Sequence, residues 1–233
     1  MNAQPLPASA SAEPATPSPD WSGLGAGFSD LATGSQSVFR CVLQAWSHPG
    51  RCVPLQSDAQ HPPVGHRTSA AVLLAMLDAE TRLWLSPTLA GSAVEHWLRF
   101  HTGCVVVPSA SDADWVWAAH LDELPPLAEL PTGSDVCPES AATCIVDVDG
   151  LSNMPVPTAW QLSGPGILNT APLTITDESG NPDALAQLAT LRTANHALFP
   201  RGVDVLLATA THVVGLPRTT SLHTSPTHTV QKG

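Results

Sequence analysis

The chain has 233 residues, 43% of them hydrophobic, with a formal net charge of −11, which leaves room for one sizeable core. Its 20 acidic against 9 basic residues argue against nucleic acid or an anionic membrane as partner, because both need a basic face. The only lysine is Lys232, which excludes Schiff-base chemistry with pyridoxal phosphate and the Gly-Lys-Ser/Thr phosphate loop.

Met1 to Asp20 is rich in proline, alanine and serine and reads as a disordered tail, since it has too little bulky apolar surface to offset its ordering entropy. It has no basic region or apolar segment of a signal peptide, and the longest apolar run, Ala70 to Leu77, is too short to span a bilayer. A soluble, cytoplasmic protein is expected, with a tail over 1–27, one α/β domain over 28–220 and a second disordered tail over 221–233.

Ser35 to Ser47 reads as a helix with Val38, Val42, Ala45 and Trp46 near one face, ended by Pro49-Gly50. Ser69 to Leu77 is a second, buried helix, and Leu83 to Leu85 a short strand. Ala90 to Phe100 is helical, with Gly103 in place to end it. Cys104 to Val107, Trp115 to Ala118, Thr143 to Val148 and Thr158 to Leu162 read as strands; Leu121 to Pro138, broken by prolines, offers at most a helical turn. A helix runs from Pro182 to Leu198 until Pro200 stops it, and Gly202 permits a turn. Val203 to Ala208 and His212 to Leu216 then form two buried strands. The class is α/β, a mixed sheet with flanking helices.

If the last two strands pair antiparallel, Arg201 and Asp204 meet Arg218, Thr219 and Thr220 at one end of the hairpin. Two guanidinium groups, a carboxylate and two hydroxyls there either hold a phosphate or phosphonate, or tie Asp204 to an arginine and pin the hairpin. Ser163-Gly164-Pro165-Gly166 follows a strand and is either a plain tight turn or an anion-facing loop. Arg99 and His101 at a helix end, and Glu139 after Pro138, read as charges that complement helix termini rather than as catalysts. The ten histidines have no metal-pair spacing: His61 and His66, like His96 and His101, are five apart. No metal site is expected. The five cysteines are odd in number and lack C-x-x-C spacing, so they read as reduced. No Gly-x-Ser-x-Gly nucleophile elbow occurs.

Several stretches then come in a telling order: Gly27-Phe28-Ser29-Asp30, Ser35-Gln36-Ser37-Val38-Phe39-Arg40, Ser47-His48-Pro49-Gly50 and Leu98-Arg99-Phe100-His101-Thr102-Gly103. Pro138-Glu139-Ser140-Ala141-Ala142-Thr143, Leu162-Ser163-Gly164-Pro165-Gly166-Ile167, Phe199-Pro200-Arg201-Gly202-Val203-Asp204 and Leu216-Pro217-Arg218-Thr219-Thr220 complete it. Over Phe28 to Thr220 the chain resembles the PhnH family, the H subunit of the bacterial carbon–phosphorus lyase core complex. The resemblance implies a fold similar to pyridoxal-phosphate-dependent transferases without the cofactor, and a homodimer when isolated. It implies partnership with the G, I and J subunits. With the G, I and L subunits, L being an ATP-binding-cassette protein, it implies a part in forming α-D-ribose 1-methylphosphonate 5-triphosphate from ATP and methylphosphonate. It assigns no catalytic residue and no cofactor, and leaves open whether the chain binds a phosphonate or nucleotide directly. Both tails lie outside the family pattern.

Overall fold

The central strands carry unbroken apolar runs between polar ends, as strands covered on both faces do. In Thr143–Asp147 (β5), Cys144 and Val146 belong to one apolar cluster and Ile145 to the other. In Asp204–Ala208 (β9), Val205 and Leu207 alternate in the same way with Leu206 and Ala208. Such a strand must lie between two layers, because successive side chains point to opposite faces. The structure is a computed structural model and describes residues 25–178, 181 and 183–223.

The other strands are Val53–Pro54 (β1), Arg82–Leu85 (β2), Val105–Val106 (β3), Trp115–Ala118 (β4), Gly150–Ser152 (β6), Trp160–Ser163 (β7), Ala171–Thr176 (β8), His212–Leu216 (β10) and Ser221–His223 (β11). The helices are Leu31–Ser47 (α1), Arg67–Met76 (α2), Ala93–Thr102 (α3) and Ala184–His196 (α4). A seven-stranded sheet has the order β1-β10-β9-β5-β4-β2-β3, and a four-stranded sheet the order β11-β7-β8-β6. The run β9-β5-β4-β2-β3 is parallel, β10 and β1 extend it antiparallel, and the smaller sheet is antiparallel throughout. The mixed sheet and flanking helices make the class α/β, as expected.

One face of the large sheet is covered by α1, α2 and α3, which contribute Val42, Leu73, Trp97 and Leu98 to a cluster with Leu83, Trp117 and Leu206. The other face packs against α4 and the small sheet through Leu188, Trp160, Leu162 and Leu173. α1 begins at Asp30, whose side chain accepts from the Thr33 amide at 2.7 Å and so satisfies one of the amides a helix start leaves unpaired. α3 ends at Gly103 in the left-handed conformation (φ 74°), where a β-carbon is costly. No described helix is long and apolar enough to cross a membrane.

Four strands were not foreseen: β1, β6, β8 and β11. β8 contains Pro172, whose ring lacks an amide hydrogen, and still pairs with β7 at Pro172↔Gln161. Ser221–His223 falls within the expected C-terminal tail, yet pairs with β7, Leu222 opposite Leu162. Three residues of ordinary polarity carry no strand signal of their own; the neighbouring edge supplies it. Between Leu121 and Pro138 the chain makes short 3-10 helices at Leu121–Glu123, Leu127–Glu129 and Pro138–Ser140. Leu121, Leu124, Leu127 and Leu130 are all buried; Leu121 and Leu124 bracket the first turn and Leu127 and Leu130 the second, each pair one three-residue turn apart. Pro182, residues 1–24 and 224–233 lie outside the described residues, so the expected N-terminal tail falls there almost whole, together with most of the C-terminal one.

Candidate functional site at the hairpin end

β9 and β10 pair with Val205 opposite Leu216, so the residue that opens β9 meets the segment that leaves β10. Asp204 and Arg218 are thereby joined. The Asp204 carboxylate accepts from the Arg218 backbone amide at 2.7 Å, from Nε at 3.2 Å and from Nη2 at 2.6 Å. Arg218 Nη1 donates to the Pro138 carbonyl at 2.6 Å. Each guanidinium nitrogen of Arg218 therefore has a protein acceptor, and its charge is met by a carboxylate in bidentate geometry. Of the two readings the sequence leaves open, this geometry matches the pinned hairpin.

Arg201 does not join that pair. It reaches Asp135 instead, Nε to Oδ1 at 3.3 Å, with both side chains largely in solvent. The backbone explains the divergence. Arg201 N donates to Leu198 O and Gly202 N to Thr132 O, so the chain turns toward the 131–135 segment before β9 starts. Gly202 makes that turn at φ 122°, a region side chains rarely adopt.

The Ser163-to-Gly166 turn does come to the hairpin end. Pro165 and Gly166 line a cavity of about 440 Å³ with Trp46, Thr143, Asp204 and Thr219. Gly164 (φ 136°) and Gly166 (φ 84°) are both in positive-φ conformations, and the Ile167 amide closes the turn on the Gly164 carbonyl at 3.1 Å. A β-carbon on Gly164 would stand 2.8 Å from Thr219 O, and one on Gly166 2.6 Å from Ser47 O. The glycines thus serve close backbone packing. Ser163 Oγ lies 3.4 Å from His223 Nε2 across the β7–β11 pair. Thr220 is buried, its amide donating to Pro217 O at 2.9 Å and its hydroxyl lacking a partner among the described residues.

The remaining expected residues lie elsewhere. Arg99 pairs with Glu95 one helical turn away at 3.7 Å and lines a separate groove with Glu95, Phe100 and Val105. His101 Nε2 is 3.1 Å from Gly25 O; a carbonyl only accepts, so that nitrogen carries the proton. The ring meets Trp97 and Phe100 edge-on, with centroids 5.2 and 5.1 Å away. Glu139 sits in the first turn of the Pro138–Ser140 helix, where negative charge suits the helix end.

Three residues of α4 that the sequence reading passed over hold the cluster together. Arg192 is 1% exposed and donates to Val203 O at 3.2 Å and Pro217 O at 2.5 Å, bridging the start of one strand and the exit of the other. Burial lowers its pKa to about 10, against the opposing charge of Asp204. Asn195 closes a two-point bond with Val203, accepting from its amide at 2.7 Å and donating to its carbonyl at 2.9 Å. His196 Nδ1 donates to Arg218 O at 2.9 Å, which leaves Nε2 to accept from Ser221 Oγ at 3.1 Å. The signal was present but inverted: Arg192 and Asn195 continue the buried stripe of Ala184 and Leu188, and polar residues on such a stripe must have buried partners. Beneath them the Cys144 thiol is pushed up by burial and is inert as a nucleophile. Among the described residues no group of three or more His, Cys, Asp or Glu is placed to hold a metal ion.

Comparison with known proteins agrees with these motifs. The family model described as bacterial phosphonate metabolism protein (PhnH) matches residues 26–223. The chain is 32% identical over 195 residues to the α-D-ribose 1-methylphosphonate 5-triphosphate synthase subunit PhnH of Rhizobium meliloti (strain 1021), covering 84% of this chain and 93% of that protein. It is 28% identical over 194 residues to HtxG of Stutzerimonas stutzeri, a protein named as a C-P lyase subunit, covering 83% and 88%.

Proposed function

The chain belongs to the PhnH family of bacterial phosphonate metabolism proteins, and from that membership we propose that it is a subunit of the assembly that makes α-D-ribose 1-methylphosphonate 5-triphosphate. ATP and methylphosphonate are the substrates of that assembly, with the G, I and L subunits taking part. Its role there is to build and brace the complex rather than to perform the chemistry. The G, I and J subunits are its partners in the carbon–phosphorus lyase core, in the cytoplasm, and it pairs with itself when isolated. Its fold is a relative of the pyridoxal-phosphate-dependent transferases that works without the cofactor.

The observation that carries the bracing role is the satisfied state of Arg218. A guanidinium that must grip a phosphonate keeps its paired donors free; this one gives the Nε and Nη2 pair to Asp204 and a third of its five N–H donors to Pro138. The lining of the adjoining cavity contains Asp204 and no arginine, lysine or histidine. The one lysine, Lys232, belongs to none of the family motifs.

Deletion of the gene is expected to abolish growth on methylphosphonate as sole phosphorus source, and the wild-type gene to restore it. A tagged chain is expected to bring down the G, I and J subunits. Growth of the deletion strain, or purification of the chain free of those subunits, would refute the assignment. Calorimetry of the isolated chain with methylphosphonate and ATP separates bracing from ligand binding: heat that disappears in Arg218→Ala would reinstate the hairpin end as an anion site.

A further inference from the structure

The parallel part of the large sheet reads β3-β2-β4-β5-β9, and the chain enters it in the middle. From β2 it steps through α3 to β3 on one side, then returns to build β4, β5 and β9 on the other. In open parallel sheets a crevice forms outside the carboxyl ends of the strands where the order reverses, because successive connections leave in opposite directions. Here that point lies between β2 and β4.

A cavity of about 220 Å³ opens nearby, lined by His66, Thr88, Ala119, His120, Asp147 and Asp149 among others. Ala119 and His120 follow β4, Asp147 ends β5, and Thr88 follows β2 by three residues. The polar groups here are built in, not scattered. Asp147 is 3% exposed, accepting from the His66 amide at 2.7 Å, from Trp117 Nε1 at 3.1 Å and from Ser69 Oγ. The hydroxyls of Ser86 and Thr88 both donate to Glu123, and the Ala119 amide donates to Ser86 Oγ at 3.1 Å.

The hydrogen-bond inventory narrows what fits. Helix-start and loop amides are what cradle a phosphate in a nucleotide crevice, and here the amides that follow the strands are largely turned to protein acceptors. Ser86 N donates to Trp117 O at 2.9 Å, Val148 N to Ala208 O at 2.8 Å and Asp149 N to Thr176 O at 3.0 Å. No arginine or lysine lines the cavity, and two carboxylates do. Two carboxylates with no arginine or lysine beside them disfavour an anion. What remains on offer is acceptors, namely the Asp149 carboxylate beyond the Oδ2 bond it accepts from the Glu178 amide at 2.6 Å and the lone pairs of Thr88 Oγ1, together with two imidazoles that each donate once and accept once when neutral. The volume is below the roughly 300–1,000 Å³ of pockets for drug-sized ligands, which leaves space for a single ring.

We infer that this switch-point cavity binds an uncharged, hydroxyl-rich ring of monosaccharide size and excludes free phosphate and phosphonate. The inference rests on the sheet's topology and the cavity's donors and acceptors, so it stands or falls apart from the bracing role.

Saturation-transfer NMR on the full chain, with D-ribose and D-glucose as probes, tests it. Transfer to at least one sugar is expected. It should weaken about threefold to tenfold in each of His120→Ala and Asp149→Asn, the loss of one net hydrogen bond. Both residues are exposed, and asparagine keeps an oxygen to accept from the Glu178 amide, so these variants should unfold at the wild-type midpoint, which separates lost binding from lost fold. Inorganic phosphate and methylphosphonate should not compete. No transfer to either sugar, transfer unchanged in both variants, or displacement by phosphate would each overturn the proposal.

Discussion

The two ends of the β5–β9 strand pair treat charge in opposite ways. At the amino end, Asp204, Arg218 and Arg192 are wrapped into backbone and one another, with Asn195 and His196 completing the bonds. At the carboxyl end, Asp147 anchors the start of α2 while Asp149, Thr88 and two imidazoles surround open space. The first is the place where the sequence gathers arginines, and the second has none. Clustered charge therefore marked a joint, because opposite charges brought together in partial burial neutralise each other. The receptive end is marked by topology and by acceptors left over after the backbone is satisfied.

The contrast can be broken most decisively at Arg192. Arg192→Met removes a buried cation that bridges two carbonyls, and a loss of about 3 kcal/mol in unfolding free energy is expected. Urea denaturation measures it; a loss under about 1 kcal/mol would mean that Asn195 alone holds the joint. Gly166→Ala tests the turn against the same joint. Its β-carbon would press on Ser47 O from a left-handed backbone, and a cost of about 2 kcal/mol is expected.

Asp147→Asn probes the carboxyl end through pH. Burial raises the Asp147 pKa, with the charge of His66 and three hydrogen bonds opposing. A carboxyl raised in the folded state favours folding most fully below its unfolded value near 3.8, and that advantage is lost as pH rises through the raised folded value. Asparagine cannot ionise but sets an amide against one of the donors. The variant should thus be the less stable protein in acid, with the gap narrowing as pH rises; a gap that widens would contradict the assigned direction. The smallest effect belongs to Arg201→Ala. Its partner Asp135 is largely exposed, and such pairs contribute within about 0.5 kcal/mol. A larger loss in the same denaturation series would return Arg201 to the joint from which its backbone turns away.

Much of the frame was legible along the chain. The helices over 35–47, 69–77 and 182–198 overlap α1, α2 and α4, and the hairpin of β9 and β10 forms with the expected antiparallel sense. Periodicity and breakers act over a few residues, so they can be read there. β8 and β11 were not legible, because Pro172 and the polar Ser221 and His223 join a ladder only when β7 presents its edge. The leucines at 121, 124, 127 and 130 were hidden by reading for periods of two and 3.6 where the chain uses three.

The sequence by itself determined the α/β class, the lack of a placed lysine, the family and the closeness of Asp204 to Arg218, since each depends on composition, order or one short hairpin. Only the tertiary structure decided that Arg201 leaves the cluster, that α4 sends Arg192, Asn195 and His196 into it, and that a cavity opens beyond β2, β4 and β5. Those outcomes join residues as far apart as His66 and Asp147. No local pattern encodes such a meeting; the order in which strands enter the sheet does.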